Sequence, residues 1–393
     1  MFTFVTLKFE SMDYTKLITY TETNLSGRYI TLNHLQPLLE NLPATFQIFD
    51  VGFSVLNKPI QAIKFGTGKT KVFMWSQMHG NESTTTKALF DFFVMLQNEP
   101  EIAHKFNDFF TLLLIPIANP DGAEAYTREN AHKIDLNRDM LNLSQPESKV
   151  LWTVFNDFKP DYAFNLHDQR TIFAAGNTNN PATVSFLAPS FDENRSINNT
   201  RQKAINIISV MNNVLQQFIP NKIGRFDDGF NPNCIGDCFQ MQQVPTILIE
   251  AGHFPDDYER EETRKYVLLS LIAGLQAINE NVVVVNKIDE YLAIPQNKPI
   301  FFDIIYKNLQ IDSNNSKKLC NFAIQYKEVL ENHTILFEGF IQKIDNLENN
   351  FGHIEINCNK LLYTDFLNSI PEVNQRAIFY IGNIFYENKL KNN

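Results

Sequence analysis

The sequence predicts an α/β fold, with a mixed, largely parallel central sheet covered by helices on both faces and a small, mostly β domain after it. Three observations predict this. Apolar runs of strand length alternate with segments of helical periodicity through the first three quarters of the chain. One run, Phe109 to Ile117, is apolar but for Thr111, as a buried strand is. Near Asn281 the texture changes to short β-like runs between Asn-rich turns, so the chain divides at 1–284 and 285–393.

The elements follow in order. Tyr29 to Glu40 is an amphipathic helix candidate, and Phe46 to Asp50 and Ile60 to Phe65 read as strands, the second closed by the turn Gly66-Thr-Gly68. Lys71 to Met78 is a strand-length apolar run. Ser83-Thr-Thr-Thr86 offers hydroxyls suited to cap a helix from Lys87 to Gln97. After the Phe109 strand, Glu147 to Phe158 is helical, Asp161 to His167 and Thr183 to Ala188 are strands, and Ile197 to Phe218 is a long helix. Val244 to Ile249 is again a strand, followed by a charged helix from Glu259 to Asn279. In the last part, Pro299 to Ile305, Thr334 to Ile341, His353 to Asn357 and Ala377 to Ile381 are short strands.

Composition narrows the function classes. Hydrophobic residues at 44% and charged ones at 20% exclude a disordered chain. The net charge of −10 argues against nucleic acid or an anionic membrane as general partners. No apolar run reaches the ~18 residues of a membrane span. Met1 to Glu10 has no basic leader and no small-residue cleavage site, and Met12 offers an alternative start, so a cytoplasmic location is expected. Four cysteines are too few for a disulfide scaffold at this length. Cys234 and Cys238 offer a second metal half-site or a local bridge, although no matching pair stands nearby.

Three segments carry chemistry: His79-Gly-Asn-Glu82, Asp135-Leu-Asn-Arg138 and Asn165-Leu-His167. A catalytic zinc takes three protein ligands from His and carboxylate and keeps one position open. His79, Glu82 and His167 fill that quota. The first two fall in a strand-to-helix turn, at the carboxyl end of a strand, where open α/β sheets place their sites. A lone histidine after an apolar strand is more often capped or solvated than metal-bound. It is the coincidence with the other segments that favours a ligand.

Taken together, these segments resemble the zinc carboxypeptidases of the M14 family. Val51-Gly-Phe-Ser54 to Gly66, His79-Gly-Asn-Glu82, Asn119-Pro-Asp-Gly122, Thr127-Arg128, Asp135-Leu-Asn-Arg138, His167 and Pro245-Thr-Ile-Leu-Ile-Glu250 fall in the family's order, across roughly residues 45 to 280. The resemblance implies a carboxypeptidase-like α/β fold for residues 1–284 and one zinc per chain, and it does not reach residues 285–393. It also implies roles. Glu250 matches the general base, Arg128 the cation beside the developing oxyanion, Asn137 and Arg138 the pair that grips a terminal carboxylate, and Asp135 the carboxylate that orients His79.

The sequence also departs from the family. The region where digestive members carry a mobile tyrosine is Gly224 to Asn231, which has none, leaving Phe226 or Phe230 to fill the space. Lys133 stands where a glycine is common, Ala251-Gly-His253 follows the glutamate, and the specificity pocket falls near Ile235, Gly236 and Asp237. The expected activity is removal of a carboxyl-terminal residue from a peptide, or otherwise hydrolysis of a small amide with a free carboxylate. The rival is an amidohydrolase of N-acyl amino acids, of the desuccinylase or aspartoacylase kind. A catalytically silent peptide-binding protein is a third reading, although no ligand is missing.

Overall fold

The computed structural model describes residues 12–281, 286–313, 316–366 and 370–391. The segment Met1 to Glu10 and the division at 284 lie outside the described residues. The strands of the first part are β1 (Phe46–Phe53), β2 (Pro59–Phe65), β3 (Thr70–Trp75), β4 (Phe110–Ile115), β5 (Tyr162–Asp168), β6 (Phe173–Ala175), β7 (Val184–Leu187), β8 (Ile223–Arg225) and β9 (Thr246–Ala251). All but β6 form one sheet of order β1-β2-β4-β3-β5-β9-β7-β8. Its centre, β4-β3-β5-β9, is parallel, while β1, β2 and β7 join by antiparallel pairings. The sheet is therefore mixed and largely parallel, and its central strands are apolar because both faces are covered.

Helices Thr84–Asn98, Asn199–Leu215 and Glu261–Asn279 pack on one face, over Val72, Met74, Phe164, Leu166, Ile247 and Ile249. Helices Pro146–Phe158 and Ile235–Met241 cover the other, around Trp75, Phe155 and Phe239. The sequence reading missed the helix Pro100–Phe109. Pro100 opens it at the first turn, where a missing N–H costs nothing, and it runs directly into the β4 run, which masks its periodicity. The cap expected from the Ser83 to Thr86 hydroxyls also differs, since the helix already begins at Thr84. Ser83 Oγ donates to Arg28 O (2.6 Å), and the Asp168 carboxylate takes the Thr84 N–H (3.1 Å) and hydroxyl instead. A buried carboxylate at a helix start satisfies the free N–H groups and faces the positive end of the helix dipole.

The C-terminal part is β-rich. β10 (Asn297–Pro299) pairs with β6, which lies among the first-part strands. β11 (Phe301–Ser313), β12 (Ser316–Glu331), β13 (Thr334–Ile344), β14 (Phe351–Asn357) and β18 (Lys389–Lys391) form a sheet of order β14-β11-β12-β13-β18. A smaller sheet holds β15 (Tyr363–Thr364), β16 (Ile378–Ile381) and β17 (Ile384–Glu387). The two share a core of Tyr306, Phe322, Tyr363 and Phe379. β12 escaped the sequence reading because lysines and glutamates interrupt it and its first four residues are exposed.

The change of core falls between Ile294, which packs with Tyr291 in the first core, and Ile304 in the second. The two parts meet through the hydrophobic cluster Tyr29, Tyr126, Ile335 and Phe337. Polar contacts cross the same seam: Tyr126 Oη donates to Glu328 (2.6 Å) and Tyr258 Oη to Asp303 (2.9 Å).

Candidate metal centre and catalytic cleft

Three neighbouring parallel strands, β3, β5 and β9, point their carboxyl ends at one cleft. Side chains alternate along a strand. Phe164 and Leu166 of β5, and Ile247 and Ile249 of β9, therefore enter the helical core, while Asn165, His167, Leu248 and Glu250 line the cleft on the opposite face. The register places His167 beside Glu250.

The turn after β3 is tightly held. Gln77 has a left-handed backbone (φ 49°), kept in place by bonds from its Nε2 to Ile30 O (2.8 Å) and Gly80 O (2.9 Å) and from Thr86 Oγ1 to its Oε1 (2.9 Å). Gly80 lies so close to the Asn119-Pro-Asp-Gly122 turn that a Cβ would meet Gly122 C at 1.9 Å. That segment is itself a capped helix start: Asn119 Oδ1 accepts from Gly122 N (2.9 Å), and Asp121 accepts from Ser54 Oγ (2.9 Å). Asn119 and Asp121 thus act as a scaffold for the ligand turn.

His79 Nδ1 stands 2.8 Å from Glu82 Oε1, His167 Nδ1 2.8 Å from Glu82 Oε2, and the two Nδ1 atoms 3.1 Å apart. Asp135 Oδ1 lies 3.1 Å from His79 Nε2. With Asp135 accepting the Nε2 proton, His79 Nδ1 keeps a lone pair that faces a carboxylate oxygen. A metal cation between the groups would relieve such acceptor-to-acceptor crowding. The three side chains are buried, and their ligand atoms lie within 4.8 Å of one another, the one metal-suited group among the described residues. Two imidazoles, one carboxylate and a fixed tautomer fit zinc.

Electrostatics agree with that crowding. Burial disfavours charge on His79, yet Glu82 and Asp135 hold its pKa above the ordinary value. Glu82 is also buried, and His79 and His167 still hold it well below the usual carboxylate range. Burial lowers His167 and strongly raises Glu250, which Glu82 and Asp168 raise further.

The cleft, about 370 Å³, also holds Arg128, Asn137, Arg138 and Glu250. Arg128 Nε donates to Asp135 Oδ2 (3.0 Å), and its Nη1 lies 3.3 Å from Glu82 Oε1. Asn137 Oδ1 is used by Ile235 N (3.0 Å), leaving its amide nitrogen for other partners. Arg138 is exposed, and its Nη1 donates to Asn137 O (2.7 Å) and Cys234 Sγ (3.1 Å). All eight residues singled out by the sequence therefore meet at one place. Phe226, against Phe173, occupies the wall expected to lack a tyrosine. Gly236 and Asp237 line the cleft, while Ile235 turns into the Trp75 core. Burial raises Asp237 to about 6.

Cys234 and Cys238 form no bridge, and among the described residues neither belongs to a metal-suited group of three or more. Both are free thiols, one facing Arg138 and the other in the Trp75 core. Sequence reasoning missed Asp168, Gln169 and Arg170 in the cleft wall, although they directly follow His167. It also missed Asp303 and Gln325 to Glu328, which line the cavity adjoining the cleft from the C-terminal sheet and carry no local signal.

Comparison with known proteins agrees with the geometry. The zinc carboxypeptidase family model, Peptidase M14, matches residues 31–184, a stretch that holds the three metal-suited residues and ends before Glu250. Probable carboxypeptidase 2 of Arthroderma benhamiae is 28% identical over 113 residues, which is 29% of this chain and 21% of that protein. The chain thus spans about a fifth of the length of the curated relatives it matches. Among solved structures, a metallo-carboxypeptidase from Burkholderia cenocepacia superposes with a TM-score of 0.50 at 18% identity, covering 64% of this chain and 68% of that one. A Pseudomonas aeruginosa metallo-carboxypeptidase in complex with (2-guanidinoethylmercapto)succinic acid gives 0.50 at 14% identity, with 66% and 69% covered. These two likenesses concern the fold. The family model and the His-Glu-His centre fall on the same stretch, and over residues 31–184 the chain is similar to the zinc carboxypeptidases of the M14 family.

Proposed function

We propose that the protein is a zinc-dependent metallocarboxypeptidase that hydrolyses the C-terminal amide bond of a peptide. One observation carries the reading: a metal-suited triad, a cleft-lining glutamate and an exposed arginine share a single cleft. His79, Glu82 and His167 would hold the zinc. When bound, zinc supplies Lewis acidity toward a carbonyl and toward water.

The remaining work falls to side chains. The Glu250 carboxylate has no hydrogen bond from any described residue, and its burial gives it the raised basicity that suits a general base. In this reading its carboxylate takes a proton from the attacking water and passes it to the leaving amine. Arg128, held by Asp135, offers N–H groups to the oxyanion that develops on the scissile carbonyl. Arg138 and the Asn137 amide grip the substrate's free carboxylate, for which the planar guanidinium is suited. Asp237, beside that grip, sets a negative charge near the terminal side chain.

An amidohydrolase of N-acyl amino acids would use the same triad and clamp, so the test must separate the two. Purified zinc-loaded protein is incubated with peptides bearing free or amidated termini and with N-acyl amino acids. Release of single carboxyl-terminal residues from free-ended peptides supports the proposal. Activity confined to N-acyl amino acids, or equal cleavage of free and amidated peptides, overturns it. Arg138→Ala and terminal amidation delete the same contact, so their losses should not add.

A further inference from the structure

A second cavity of about 390 Å³ adjoins the catalytic cleft. The two share Glu82, Arg128, Asp168, Gln169 and Arg170, so they are two halves of one groove that meet beside the metal centre. If the proposed function holds, Arg138 fixes the terminal carboxylate in the first half. The second half then receives the residue on the acyl side of the scissile bond.

The far wall of this second half comes from the C-terminal sheet, through Asp303 and the stretch Gln325 to Glu328. The wall is anchored to the first part. Glu328 pairs with Arg28 (3.1 Å) and accepts from Tyr126 Oη (2.6 Å), and Gln325 Nε2 donates to Thr171 Oγ1 (2.7 Å).

The charges here are unevenly satisfied. Asp168 is buried against Thr84 and Arg28, Asp303 is buried against Tyr258, Glu328 serves Arg28 and Tyr126, and Glu82 belongs to the metal centre. Among the cations, Arg28 is matched by Asp168 and Glu328, and Arg128 by Glu82 and Asp135. Arg170 and Lys327 are the remainder. Arg170 is exposed and lines both halves, so it stands at their junction; Lys327 reaches the same cavity from β12, with its ammonium 4.0 Å from the Phe340 ring centroid. Among the described residues neither makes an ion pair. One comes from each part of the chain, and every acid beside them is already engaged.

We infer that this half of the groove is a subsite for an acidic residue directly preceding the scissile bond, with Arg170 its principal partner and Lys327 an auxiliary one. The substrate class is then peptides whose penultimate residue carries a carboxylate. The inference rests on the carboxypeptidase reading for its direction along the groove, and binding tests it separately from turnover.

Zinc-loaded Glu250→Gln protein is titrated calorimetrically with an Ala-Glu-Xaa tripeptide library and its Ala-Gln-Xaa counterpart. The glutamate series should bind about tenfold tighter, the scale of one charge-assisted contact. Arg170→Gln should remove most of that ratio and Lys327→Gln a smaller share, with zinc content unchanged in both. Without any substitution, the ratio should shrink as salt rises from about 50 to about 500 mM, because the groove is open to solvent. Equal binding of the two series, or a ratio indifferent to both Arg170→Gln and salt, overturns the subsite. Tight glutamate binding without release of terminal residues by the wild-type protein overturns the carboxypeptidase reading and leaves the subsite standing.

Discussion

Asp135 Oδ1 lies 3.1 Å from His79 Nε2, while Nδ1 of the same ring faces Glu82 at 2.8 Å. The carboxylate therefore decides which nitrogen is free for metal. Asp135→Ala should leave the fold intact and weaken zinc binding about 10- to 100-fold, the usual cost of losing such an orienting partner. Competition with a chromophoric chelator measures it, and unchanged affinity would show that His79 needs no help from Asp135. His79→Ala and His167→Ala, which remove ligands outright, should lose most of the metal.

Glu250 lines the cleft beside His167, and its carboxylate accepts no hydrogen bond from the described residues. Glu250→Gln keeps its volume and removes its basicity. Turnover should drop by ~10²-fold or more, while zinc content and peptide affinity stay near wild type. Normal turnover in this variant would reduce Glu250 to a structural residue.

Asp237 titrates at about 6 because burial disfavours its charge. Above that pH it places a negative charge on the side of the cleft that holds Arg138; below it, the charge is gone. The ratio of kcat/KM for lysine-ended over leucine-ended peptides should therefore rise as pH increases through 6 and should be flat in Asp237→Asn. A pH-independent ratio in the wild type would place Asp237 out of reach of the substrate.

Asp91 and Arg264 form a buried bidentate pair, Nη2 to Oδ1 at 2.6 Å and Nε to Oδ2 at 2.7 Å, between the helices Thr84–Asn98 and Glu261–Asn279. Removing one member strands a buried charge, so Asp91→Ala should cost about 3–5 kcal/mol, read as a fall in the urea midpoint. Arg264 also serves Leu25 O and Glu261. Arg264→Ala should therefore destabilise at least as much, and a loss below about 1 kcal/mol in either variant would mean that water reaches the pair.

The alternation of apolar runs and helical stretches was enough to determine the α/β class, because a buried parallel strand and an amphipathic helix each impose a local pattern. The metal triad was legible for the same reason. His79 and Glu82 share one turn, His167 ends a strand, and the family order supplied the rest. Only the tertiary structure decided that Asp168, rather than Ser83, caps the ligand helix, and that Cys234 serves Arg138. The groove's second wall was equally hidden. Tyr126 and Glu328 meet across 202 positions of sequence, and two residues that far apart leave no local pattern from which their contact could be read. Local periodicity records which face of an element is buried. The partner that buries it, and the charges left over when the parts meet, are fixed by packing alone.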